Sequence, residues 1–208
     1  MEEKKLNEQE SLDLIAQMIN QTKKESAVGS GNTFLVWGYL CTLMSLAVFV
    51  LASITRDGNW GWLYIAIPIV GFMVTGIVAR MCYKKYTGPK TYQAKSIDAI
   101  WGCLAGIFAV YMVACFANWN HSECWTGMFL LGMILPGLGT ACTGAILKEK
   151  AVAICGCIGS TGGLVFLSQL CMGGHITLRW TVLMAVTMVI ALVIPGHILN
   201  YKAKKANA

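Results

Sequence analysis

Four residues of this 208-residue chain could bind a metal: His121 and Cys124 in the run HSEC, and Cys171 and His175 in CMGGH. Two thiolates and two imidazoles at such spacings suit zinc or copper, which favour soft sulfur and nitrogen donors. The pairs lie fifty residues apart in sequence, so they form a site only if the fold brings two loops together. A plainer reading is two histidines near a membrane interface beside cysteines acting as small hydrophobes. Acid–base chemistry has one candidate, His197, for which Asp98 or Glu149 could serve as a partner. A conserving alternative makes His197 an interfacial residue beside Pro195 and Gly196. Cys155 and Cys157 point apart on a helix and make no chelate. The sequence therefore predicts neither an enzyme nor a cofactor.

The elements that would position these groups are read from hydropathy. Hydrophobic residues make up 56% of the chain and charged ones 12%, about half the share usual for soluble domains. Apolar runs occur at about 33–55, 60–82, 97–117, 125–147, 151–172 and 178–199. Each is near the ~20 residues that a helix needs to cross hydrocarbon. Backbone groups in lipid must be satisfied within their own segment, which selects helices. The expected fold is an all-α integral membrane protein with six transmembrane helices in three antiparallel hairpins, preceded by a cytoplasmic amphipathic helix. By region, this gives the helix and a flexible joint over 1–32, the bundle over 33–200 and a basic tail over 201–208.

Of the sixteen lysines and arginines, only Arg56 and Arg179 fall on one side of the predicted bundle. The positive-inside rule then places both termini in the cytoplasm. Trp60, Trp62, Trp119, Trp125 and Trp180 sit near the expected outer boundary, and Tyr83, Tyr86 and Tyr201 near the inner one. The net charge of +6 fits anionic lipid, and no soluble basic face is left for nucleic acid. Lys84, Lys85, Lys90 and Lys95, interleaved with tyrosines around Gly88-Pro89, read as an anchor for anionic headgroups.

At 7–24 an apolar stripe of Leu12, Ile15, Met18 and Ile19 recurs at helical spacing. Asn7 with Glu10 supplies an N-cap signal, and Lys23 and Lys24 close the segment. Such a helix lies on the inner leaflet or docks a soluble cytoplasmic regulator.

The first two hairpins look like a parallel internal repeat. Trp37-Gly38 and Trp101-Gly102 open them, and a frame P-x-x-G-x-x-x-T-G follows in each. The frames comprise Pro68, Gly71, Thr75 and Gly76, and Pro136, Gly139, Thr143 and Gly144. Proline inside a helix frees a carbonyl and produces a kink, so these two kinks should flank any cavity, bounded by the second, fourth and fifth spans. Glycines at spacings of three and four, including Gly102, Gly106, Gly132, Gly137, Gly156, Gly159, Gly162 and Gly163, predict close helix packing within the monomer or between copies in a homo-oligomer. The GCIGSTGG run makes the fifth span the expected centre.

No Asp, Glu, Lys or Arg lies deep in any run. Intramembrane charges mark proton and ion paths, so their absence argues against an ion-coupled transporter. The midplane polar groups are hydroxyls, namely Thr42, Ser45, Thr75, Thr140, Thr143, Ser160, Thr161 and Thr187, which can bond to their own helix.

The stretches LNEQESLDLIAQMI (6–19) and IPGHILNYKAKK (194–205) resemble a group of small bacterial six-span inner-membrane proteins, along the length of the chain. The resemblance implies a bacterial inner-membrane location and work alongside a soluble regulator; it assigns no functional residue. The resulting expectation is a non-enzymatic protein that senses, anchors or regulates. Its alternative is a transporter or binding protein for an uncharged or lipophilic small molecule.

Overall fold

The computed structural model describes residues 30–56, 58–83, 91–175 and 177–207, together with Gln9, Leu12 and Asp13. Its elements, all helical, are α1 (Ser30–Thr55), a 3-10 segment (Gly58–Ile65), α2 (Ala66–Tyr83), α3 (Tyr92–Ala117), α4 (Ser122–Ile146), α5 (Lys150–Cys171), α6 (Leu178–Met188), a π-helical turn (Val189–Val193) and α7 (Ile194–Asn207). Six helical stretches are long and apolar enough to cross a membrane, the sixth being the rod Leu178–Lys205 that runs through α6, the π turn and α7.

Helix ends follow local chemistry. α3 starts at Tyr92, earlier than hydropathy indicates, because the Thr91 hydroxyl accepts the Ala94 N–H at 3.2 Å. The cap satisfies an otherwise orphaned donor and lets the helix begin in polar sequence. α4 and α5 both close with paired backbone bonds of the Schellman type. In α5 the left-handed position is Gly173 (φ 78°), with Gly174 N–H on Gln169 O at 3.0 Å. In α4 the same position is Lys148 (φ 57°), with Glu149 N–H on Gly144 O at 2.8 Å. A side chain there is strained, since the left-handed region crowds Cβ.

The bundle has a packed centre and two peripheral helices. The two helices of each expected hairpin touch, but the closest pairings are α4 with α5 and α1 with the sixth rod, so the contacts do not divide into three separate hairpins. The sixth rod is the most enclosed, with 56% of its apolar window buried, against 33% for α5 and 6% for α3. The expected centre, α5, instead lies between α4 and the rod. A methyl added at Gly156 would strike Ala141 of α4, and one at Gly163 would strike Ile134. On the other side, Gly159 seats Ala191 and Gly162 seats Thr187. Glycine marks where backbones approach, whereas the rod achieves burial with Met184, Ala185, Thr187, Met188 and Ala191.

The π turn also has a local cause. Pro195 has no N–H and its ring crowds the carbonyl one turn back, and Ile194 N–H bonds instead to Val189 O, five residues back. The widened turn fits because Gly38 faces Val193 and Gly159 faces Ala191.

At the lysine-rich end, Phe34 of α1 meets Trp101 of α3 edge-on at 5.4 Å, Asn200 Nδ2 donates to Asn32 Oδ1 at 2.8 Å, and Lys202 is ion-paired with Glu149. At the opposite end, a chain of rings, Tyr64–Phe129–Phe166–Trp180, ties the 3-10 segment, α4, α5 and α6 with centroid separations of 5.7, 5.4 and 4.8 Å.

Candidate functional site

The residues of the repeated frame come together with the two tryptophans. Trp37 Nε1 donates to Thr75 Oγ1 at 3.0 Å, and Trp101 Nε1 donates to Thr143 Oγ1 at 3.1 Å. Each indole lies across the glycine of its frame. A methyl at Gly71 would fall 2.5 Å from Trp37 Cη2, and one at Gly139 would fall 3.0 Å from Trp101 Cη2. Glycine thus opens the seat, tryptophan fills it, and threonine accepts the polar edge that would otherwise be stranded in an apolar interior. Thr143, fully buried, also donates to Gly139 O at 2.8 Å, so both of its hydrogen-bonding roles are used.

This arrangement revises the expected cavity. The frame faces that would have flanked one are occupied by indoles. Pro136 does lie inside α4, but Pro68 lies in the first turn of α2 behind the 3-10 segment, where a missing N–H costs little. Gly144 seats Ala153 at the α4–α5 crossing, while Gly76 faces open space. A shallow apolar depression of about 540 Å³, lined by Gly106, Ile107, Val110, Tyr111 and Ala114, lies on α3 and opens outward, away from the predicted location.

Most midplane hydroxyls return to their own helix, as expected. Thr42 bonds Gly38 O, Thr140 bonds Pro136 O, Ser160 bonds Gly156 O, Thr161 bonds Ile158 O and Thr187 bonds Met184 O, at 2.6–3.1 Å. Ser45 is the exception. It is fully buried on α1 beside Tyr64, and the two hydroxyls are within reach of each other but make no well-formed hydrogen bond. Tyr64 escaped the sequence reading because its partner lies across a helix boundary, and an alternating apolar run around it gives no polar signal.

Among the described residues no three of His, Cys, Asp or Glu gather into a metal-binding set, so His121, Cys124, Cys171 and His175 do not form one. Nor does His197 have the expected acidic neighbour. Its Nε2 lies 2.9 Å from the Tyr39 hydroxyl, on the outward face between α1 and α7, and Glu149 is held by Lys202. Asp98 is exposed on α3. No nucleophile–base pair emerges from these contacts. Leu12 is helical and exposed, and Lys95 is exposed in the first turn of α3. Ile15, Met18, Ile19, Lys84, Lys85 and Lys90 lie outside the described residues.

Fold and contacts together define a helical protein of the multi-pass membrane class, built around a packed interior of glycine, tryptophan and hydroxyl side chains. No family model matches the chain, and no curated protein or solved structure matches it either.

Proposed function

We propose that this protein is a non-enzymatic membrane bundle of sensing, anchoring or regulatory type, with the segment 7–24 as its contact with the inner leaflet or a soluble partner. The observation that carries this reading is the filling of the two frames by Trp37 and Trp101. Where a substrate path would need space and unspent polar groups, the glycine faces hold indoles and the threonine hydroxyls are bonded. The duplicated Trp–Gly–Thr seat also supports an internal repeat of the first two hairpins, with packing as its role. The clustering of Lys148, Lys150, Lys202, Lys204 and Lys205 with Glu149 at one end supports cytoplasmic termini in a bacterial inner membrane. The outward faces of α2 and α3 then meet lipid.

The test is removal of residues 1–27 followed by affinity capture from solubilised membranes. Loss of a stoichiometric soluble partner, with the bundle still monodisperse, supports the regulatory reading. Retention of every partner and of the cellular phenotype would refute it. A second reading, a binding protein for a small uncharged molecule, is favoured by one observation alone: the Ser45 and Tyr64 hydroxyls, which make no well-formed hydrogen bond inside an apolar bundle.

A further inference from the structure

We infer that Cys115 and Cys124 form an oxidisable pair, a site for a disulfide that staples the α3–α4 hairpin at its tip. Cys115 closes α3 and is fully buried, while Cys124 stands in the first turn of α4 and is half-buried. The Cys115 Sγ lies 3.2 Å from the main-chain oxygen of Cys124, and the two thiols are within electrostatic range of one another and of the Tyr111 hydroxyl. Both cysteines are free.

The intervening turn fixes this approach. Asn118 N–H reaches back to Ala114 O at 3.1 Å and its side-chain amide to the same oxygen at 2.9 Å. His121 N–H bonds Asn118 O at 2.9 Å, and Cys124 N–H bonds His121 O at 3.2 Å. The two helix ends are therefore held at a set distance by backbone bonds. A disulfide needs Cβ atoms about 3.5–4.5 Å apart, and a sulfur already against its partner's main chain requires little movement to meet that. Residues 116–123 are all exposed, so the turn above the pair is open to a soluble oxidant.

Accessibility sets the order of events. The Cys124 thiolate attacks one sulfur of an incoming small-molecule disulfide and expels the first thiolate, forming a mixed disulfide. With a transient opening of the turn, the Cys115 thiolate attacks Cys124 Sγ and expels the second. The two thiol protons pass through water to the two expelled thiolates, and the two electrons reduce the oxidant to two thiols.

The experiment uses the full chain in phosphatidylcholine–phosphatidylglycerol nanodiscs, treated with glutathione disulfide or with dithiothreitol. Samples are acid-quenched, unfolded in SDS, alkylated with N-ethylmaleimide and mapped by mass spectrometry. The expected result is that Cys115 and Cys124 lose alkylation together and appear in one cross-linked peptide, restored by dithiothreitol. In Cys115→Ala, a glutathione adduct should accumulate on Cys124, because the resolving thiol is gone. Should that variant fail to fold, the wild-type map alone decides. Full alkylation of Cys115 in the oxidised protein, or a cross-link from Cys124 to any other cysteine, would overturn the assignment.

Discussion

Replacing Gly156 by alanine should destabilise the bundle, while the same change at Gly106 should not. At Gly156 the new methyl would lie 2.7 Å from Ala141 Cα and 2.7 Å from Gly137 O, both backbone atoms of α4. Carbon atoms rest at about 3.5–4.0 Å, so α4 and α5 must part locally by roughly 1 Å. A gap of that size forfeits about a quarter to a half of each ~0.1–0.2 kcal/mol atom-pair attraction. Over roughly twenty pairs across this face the loss comes to about 0.5–2 kcal/mol, consistent with the ~1–3 kcal/mol typical of overpacking. At Gly106 nothing lies within 4 Å. There alanine gains up to about 1 kcal/mol of helix propensity with no clash. The propensity gain is common to both sites, so the two variants should differ by the clash alone, about 1–3 kcal/mol, or roughly 2–12 °C in Tm for a chain of this size. Thermal denaturation in one detergent, read by fluorescence-detected size-exclusion chromatography, measures the difference. Equal Tm values, or a lower one for Gly106→Ala, would refute the assignment of α4–α5 as the closest backbone contact.

Three further outcomes follow from the contacts. A double-mutant cycle of Trp101→Phe with Thr143→Val should show a coupling of about 0.5–1.5 kcal/mol. The cycle of Trp37→Phe with Thr75→Val should couple less, since Thr75 is only half-buried; denaturant-induced unfolding in mixed micelles checks both. Lys148→Gly should stabilise by about 1 kcal/mol by relieving a left-handed backbone position, read as a rise of roughly 2–4 °C in Tm. The pair Ser45→Ala with Tyr64→Phe should be neutral or stabilising by up to about 1 kcal/mol, because apolar replacement removes two buried hydroxyls that lack a well-formed hydrogen bond. A marked fall in Tm would instead show that the two hydroxyls bond each other or are held by a water or small ligand.

Six apolar stretches were legible in the sequence because length and hydropathy are local properties. Their boundaries moved where one side chain intervened: Thr91 drew the start of α3 back to Tyr92, and Pro195 widened the turn before it into a π segment. The frame residues were visible as types, but the indole donors that complete them lie 38 and 42 positions away, beyond any periodicity. The metal quartet looked plausible because spacing within each pair is local, whereas convergence of two loops is not. Which helix lies at the centre was misread for a related reason. Glycine runs announce close approach, and α5 has them on two faces, but enclosure depends on how many neighbours surround a helix.

The pairing of α1 with the sixth rod has a consequence for biogenesis. Of the six described spans α1 is made before the others, and it finds its main neighbour only once the sixth rod has been made. At about 5–20 residues per second, α1 must wait on the order of ten seconds in the bilayer with its Gly31–Gly38 face uncovered. The α4–α5 pair can assemble in the meantime, joined by a turn of only a few residues. Bundle closure therefore waits on the sixth rod, which acts as the keystone. Truncations that remove it should leave α1 a substrate for membrane quality control even though five intact spans remain.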